Sequence, residues 1–185
     1  QVAFTANGGQ GAMENQSFTY DQTQSLTANG FTRPGYAFAG WSYTPTGSVQ
    51  FADREQVTGL TASGVVTLFA IWNAKTDTPY AVEHYGEALD GGWKLLSGES
   101  FTGITDTTAT AAASAFTGFS YNADADNVTK GNIAGDGSLV LKLYYSRNSY
   151  TLSWLDYDGA ELASQSVLFE APIAAPDAVT PQRMG

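Results

Sequence analysis

Arg33-Pro34-Gly35-Tyr36-Ala37-Phe38-Ala39-Gly40-Trp41, answered further on by Val66-Thr67-Leu68-Phe69-Ala70-Ile71-Trp72, decides how the first part of this chain folds. Pro34-Gly35 is a turn signal, because proline presets φ and glycine accepts a positive one. After the turn, Tyr36, Phe38 and the Trp41 indole are expected to enter a core, while Gly40 lets a neighbouring backbone or ring approach. In the second stretch Val66, Leu68, Ala70 and Trp72 share one face, and Val65, Thr67, Phe69 and Ile71 share the other. Both faces are fairly apolar, which predicts a central strand with Trp72 packing into a small core.

The same period of two recurs outward from this pair. Leu139, Leu141, Leu143 and Tyr145 form one face of a strand, with Val140, Lys142 and Tyr144 on the other; Tyr80-x-Val82-x-His84 and Tyr150-x-Leu152-x-Trp154 read alike. Turn pairs punctuate these runs at Asn7-Gly8, Asn29-Gly30, Asp90-Gly91, Asp136-Gly137 and Asp158-Gly159. Helix is scarce. Short helices are expected only at Thr110 to Phe116, where four alanines precede a Gly118 C-cap, and near Ala52 to Leu60, with Asp53 as N-cap.

Eight Lys and Arg against 18 Asp and Glu give a net charge of −10. That balance argues against nucleic acid as partner, since such binding releases counterions through clustered cations. Charged residues make up 14% of the chain, well under the roughly 25% usual for globular domains, and aromatics reach 13%. With 43% hydrophobic residues the chain can form a core and is not disordered. It has no Cys, hence no disulfide, thiolate metal site or cysteine nucleophile. No apolar run is long enough to insert in a membrane, and Gln1-Val2-Ala3-Phe4 does not begin a signal peptide, so any export signal or anchor is expected outside this segment.

Laid over one another at an offset of 150, residues 1–35 and 151–185 match without a gap: Val2 with Leu152, Phe4 with Trp154, Gly9 with Gly159, Phe18 with Leu168, Arg33 with Arg183 and Gly35 with Gly185. This implies three modules in an A–B–A order: 1–73, a polar linker at 74–79, 80–146, and a truncated copy of the first at 150–185. The natural protein is therefore expected to continue beyond Gly185.

Residues 1–73 resemble the Listeria/Bacteroides repeat of internalin B-repeats and many Gram-positive surface proteins. The residues that carry it are Asn7-Gly8-Gly9-x-Gly11, the Phe31-Thr32-Arg33-Pro34-Gly35-Tyr36-x-Phe38-x-Gly40-Trp41 run, Ala52-Asp53, and Val66 to Trp72. Residues 80–146 resemble the mucin-binding-protein type of repeat through Tyr80-x-Val82-Glu83-His84-Tyr85, Gly118-Phe119 and Gly135-Asp136-Gly137-Ser138. Both resemblances imply mainly β, α+β modules of a small β-grasp-like kind in tandem. They also imply an extracellular protein of the cell surface or cell wall, acting as stalk, spacer or adhesin. The partners implied are a host or cell-surface protein or glycan, and the neighbouring modules. The competing reading is a carbohydrate-binding accessory segment of a secreted enzyme.

No catalytic, cofactor or metal residue is assigned, and an enzyme is not expected. His84 is the only histidine and excludes paired-His zinc sites; on its strand face it is expected to pack against Tyr80 and Val82 or face solvent. Glu83, Glu87 and Glu99 could pair as glycosidase carboxylates, but modules this small rarely hold the cleft required. Asp124-x-Asp126-Asn127 and Asp156-x-Asp158-Gly159 bring hard oxygens together, yet lack the EF-hand order, and Asx-turns explain them. Among Lys75, Lys94, Lys130 and Lys142, only Lys142 lies within a strong strand, where an isopeptide bond would need it. Trp93, Tyr43 and Tyr157 fall in or beside turns and are the candidates for stacking on sugar rings.

Overall fold

The computed structural model describes residues 1–174; Arg183 and Gly185 of the repeat lie outside them. Strands account for the regular structure, and no helix occurs among the described residues. The chain forms two compact units. The first takes Gln1–Tyr80, Phe101–Ala109 and Asn132–Leu139; the second takes Ala81–Ser100, Thr110–Gly131 and the described residues from Val140 on.

In the first unit the strands are β1 (Val2–Thr5), β2 (Gln24–Ser25), β3 (Tyr36–Ser42), β4 (Gln56–Val57) and β5 (Val66–Ala74). As both apolar faces of its sequence predict, β5 is central, parallel to β1 on one side and antiparallel to β3 on the other. Val2 and Phe4 of β1, Trp41 of β3, and Leu68 and Ala70 of β5 close on Leu26, Phe31 and Val57 as one buried cluster. Gly40 has φ +147° at a bulge in β3, where a Cβ would stand 2.5 Å from the Phe51 carbonyl oxygen. Only a glycine admits that approach. Trp72 packs at the cluster's margin and donates its indole N–H to the Ala6 carbonyl at 2.9 Å.

Two expectations fail in this unit. Tyr36 is half-buried outside the core: its hydroxyl donates to Asp106, and the Arg33 guanidinium lies 3.8 Å over its ring. The turn expected as a helix at Ala52 to Leu60 instead leads into β4, which pairs with β2. Asp53 does not cap it but accepts from the Asn29 N–H at 2.8 Å, and Arg54 takes a left-handed φ of 58°. The segment expected as a linker is held by bonds. Lys75 N–H donates to Gly35 at 2.9 Å, Lys75 accepts from Thr105 N–H at 3.0 Å, and buried Thr78 shares a 2.7 Å hydroxyl bond with Thr105.

Continuing along the chain come β6 (Thr78–Glu87), β7 (Trp93–Gly103), β8 (Thr108–Thr110), β9 (Phe119–Tyr121), β10 (Lys130–Asn132), β11 (Val140–Arg147), β12 (Ser149–Leu155) and β13 (Glu161–Leu168). The second unit is built on the parallel pairing of β6 and β11 from Ala81↔Val140 to Gly86↔Tyr145. Val82 and His84 from one strand, and Leu141, Leu143 and Tyr145 from the other, are buried. Thr110 to Phe116, expected as helix, is extended. Ala111 N–H donates to Thr129 at 2.8 Å and Ser114 N–H to the Tyr145 hydroxyl at 2.9 Å. A helix of seven residues is marginal alone, so these long-range bonds override the alanines' propensity.

β12 and β13 form an antiparallel hairpin. In its turn Gly159 N–H bonds the Asp156 carbonyl at 3.0 Å, as Gly9 N–H bonds that of Ala6 at 3.0 Å. The pairing at the two places differs in register. Val2 bridges Gln16, whereas Leu152 pairs with Gln165, one residue short of the equivalent position.

Candidate functional site

The outward face of the β6–β11 pair gathers residues that the sequence leaves scattered. Tyr85 and Tyr144 are register partners, and their rings stack with centroids 5.5 Å apart. Trp93, exposed on β7, lies 4.7 Å from the Tyr144 ring. Together with Asp124, Ala125 and Asp126, Trp93 and Tyr144 line a depression of about 210 Å³. The two aspartates are positioned by the loop: Asp124 N–H donates to Asn122 Oδ1 at 3.0 Å, and Asn127 ties the loop to β11 by accepting the Tyr144 N–H at 2.9 Å. Chemically this is an apolar ring platform beside carboxylate acceptors, which suits the C–H face and hydroxyls of a sugar. The Tyr85 hydroxyl donates to Glu83 at 2.6 Å, and that bond, with burial second, raises its pKa above 10.0.

The other candidates stay apart from this depression. Tyr43 meets Phe51 edge-on at 5.4 Å, and Tyr157 stands 72% exposed. Asp156 and Asp158 serve their own turn, accepting from Tyr157 N–H at 2.8 Å and Ala160 N–H at 3.0 Å. Among the described residues no three His, Asp or Glu side chains converge as metal ligands would. Glu87 accepts the Arg147 backbone N–H at 3.0 Å, while Glu99 is exposed on β7. The Lys142 ammonium lies 6.0 Å from the Tyr85 ring centroid.

His84 is not at the surface and does not pack as expected. Its ring is buried against Phe116 and Tyr145, and Nδ1 meets the Tyr145 hydroxyl at 2.8 Å. That hydroxyl already accepts the Ser114 N–H, so its own proton is left to donate to His84. Burial, opposed by the Ser114 N–H, raises the Tyr145 pKa above 10.0. The sign follows: below pH 10.0 both folded and unfolded Tyr145 are protonated and its contribution is complete, whereas above it the unfolded chain ionises first. The second unit should therefore lose melting temperature as pH rises past about 10, and a Tyr145→Phe variant, though less stable at neutral pH, should lose less over the same interval. Equal slopes would show that Tyr145 is not the group that titrates.

A family model described as the Listeria-Bacteroides repeat domain matches residues 1–71. Such repeats occur in extracellular bacterial surface proteins, and residues 1–71 are similar to them. No curated protein matches the chain. Among the described residues no helix is long and apolar enough to cross a membrane.

Proposed function

We propose that this chain is a non-catalytic tandem-repeat segment of a bacterial surface protein that spaces a distal part from the cell, carries tension and offers adhesive surface. The observation that carries this reading is how the chain enters and leaves its sheets. It enters the first unit through β1 and leaves the sheet through β5, its parallel neighbour; in the second, β6 and β11 stand in the same relation. Pulling the start of one strand against the end of its parallel neighbour slides the two past each other. The bridging hydrogen bonds, evenly spaced in a parallel pair, are then loaded together rather than broken in turn. A spacer under shear needs this arrangement. Single-molecule stretching tests it.

The modules we assign to the array are 1–73, 80–146 and 150–185, joined at 74–79. For the second, the likeness to mucin-binding-protein repeats is part of the proposal. For the first we infer a β-grasp-like lineage in which loops replace the helix.

A second reading, a carbohydrate-binding accessory segment, is favoured by the Trp93–Tyr144 depression alone. On a glycan array the chain should retain neutral sugars, and Trp93→Ala should abolish retention without changing the melting temperature, because that ring is largely outside the core. Retention unaffected by this substitution would remove the reading.

A further inference from the structure

In the first unit, the turn Arg33-Pro34-Gly35 and the end of β5 meet. Tyr36 pairs with Ala74 in the β3–β5 register, and Lys75 N–H donates to the Gly35 carbonyl at 2.9 Å, which brings Lys75 to the turn that carries Arg33. Both line a depression of about 340 Å³ whose walls include Tyr36, Phe38 and Trp72. That volume falls within the range of roughly 300 to 1,000 Å³ typical of small-molecule sites, whereas the Trp93 depression falls below it.

The charge here runs against the rest of the molecule. The chain holds only 8 cationic side chains against 18 anionic ones, yet two of the cations face one cavity. Among the described residues the one ion pair is Arg147 with Glu170, so neither Arg33 nor Lys75 is neutralised by a carboxylate in contact. One acid at this end of the unit, Asp106, is engaged by the Tyr36 hydroxyl; accepting from it raises the Tyr36 pKa, against the pull of Arg33. The guanidinium is half-buried and fixed between the Tyr36 ring, 3.8 Å from its centre, and the turn at Gly8, where a Cβ would lie 3.4 Å from Nη1. Trp72 is equally fixed, by its bond to Ala6 and by Phe38 edge-on at 5.6 Å. A planar donor fork held still beside fixed aromatic rings is matched by a carboxylate carried on an apolar ring face.

We propose that this depression binds the carboxylate of an acidic sugar. Arg33 receives it in a forked pair of hydrogen bonds, Lys75 adds its charge, and the pyranose ring lies against Trp72. The site is separate from the Trp93 depression and does not depend on the spacer role.

The test is titration of the whole chain with methyl glucuronoside, followed by amide chemical shifts, with methyl glucoside and acetate as controls. Glucuronoside should saturate at millimolar concentration, shifting the amides of Arg33, Gly35 and Lys75, and should weaken with added salt. Arg33→Gln should lower its affinity at least about tenfold. Lys75→Gln, at an exposed side chain that no core contact needs, should lower it by less. The proposal is overturned if glucuronoside produces no shifts, if both variants bind as the parent does, or if glucoside or acetate alone binds equally well.

Discussion

Trp41→Ala should cost the first unit about 3 to 5 kcal/mol, a large part of the roughly 5 to 15 kcal/mol that holds an ordinary domain together. The indole is completely buried, with Phe4 at 4.8 Å, Phe38 at 4.9 Å and Phe31 at 6.2 Å around it. Alanine would leave these three rings without their common neighbour, and a cavity that a sheet so short collapses poorly to fill. Trp41 carries one liability: its indole N–H is buried with no acceptor among the described residues. An unmet donor of this kind costs about 1 to 3 kcal/mol. Trp41→Phe, which removes it while retaining a ring, should therefore be far milder than Trp41→Ala. Denaturant melts of the two variants decide it. An unchanged midpoint for Trp41→Ala would mean that the ring does not organise the core.

Gly135→Ala should have the second largest effect. A Cβ there would overlap the Pro34 carbonyl oxygen and lie 2.9 Å from its carbonyl carbon, so backbone rather than a flexible side chain would have to move. Overpacking of this sort costs about 1 to 3 kcal/mol. The loss should be local. Asn132–Leu139 joins the first unit against the Pro34-Gly35 turn, beside Phe101–Ala109, which is tied to it by Asp106 N–H to Ile133 and Ile133 N–H to Thr107, each at 2.9 Å. Amide exchange in these two segments should rise in the variant while the Trp41 cluster stays protected. Unchanged protection at Asp106 and Ile133 would show that the turn does not need that close approach.

Alternation in the sequence disclosed the strands wherever one face is buried. Val66 to Trp72 and Tyr150 to Trp154 fall within observed strands, as does Leu139 to Tyr145 apart from Leu139 itself, and the two apolar faces of the first predict its central place. What local pattern could not reveal is set by distant partners. The alanines at 111–113 and 115 favour helix on propensity, yet Thr129 and the Tyr145 hydroxyl hold that stretch extended. Tyr36 follows the inward alternation, but Arg33 and Asp106 offer its ring and hydroxyl partners outside the core. Trp93 was legible as a candidate from its place beside a turn. Tyr85 and Tyr144 were not, because only the β6–β11 register brings them together. Arg33 and Lys75 likewise come to line one depression only where the start of β3 meets the end of β5.

The shear arrangement is tested most directly by stretching the chain between its two ends. The chain contains no cysteine, so single cysteines can be placed as handles at will. Pulled end to end, it should resist and then give way in discrete ruptures. These should release about 250 Å for residues 1–74 and about 230 Å for 81–147, at roughly 3.4 Å per extended residue. Pulled instead between Gln1 and a handle at Ser63→Cys, both at the starting ends of β1 and β5, the same pair should peel apart at clearly lower force, since its bonds then break one at a time. Gradual lengthening without discrete ruptures, or equal forces in the two geometries, would contradict the account.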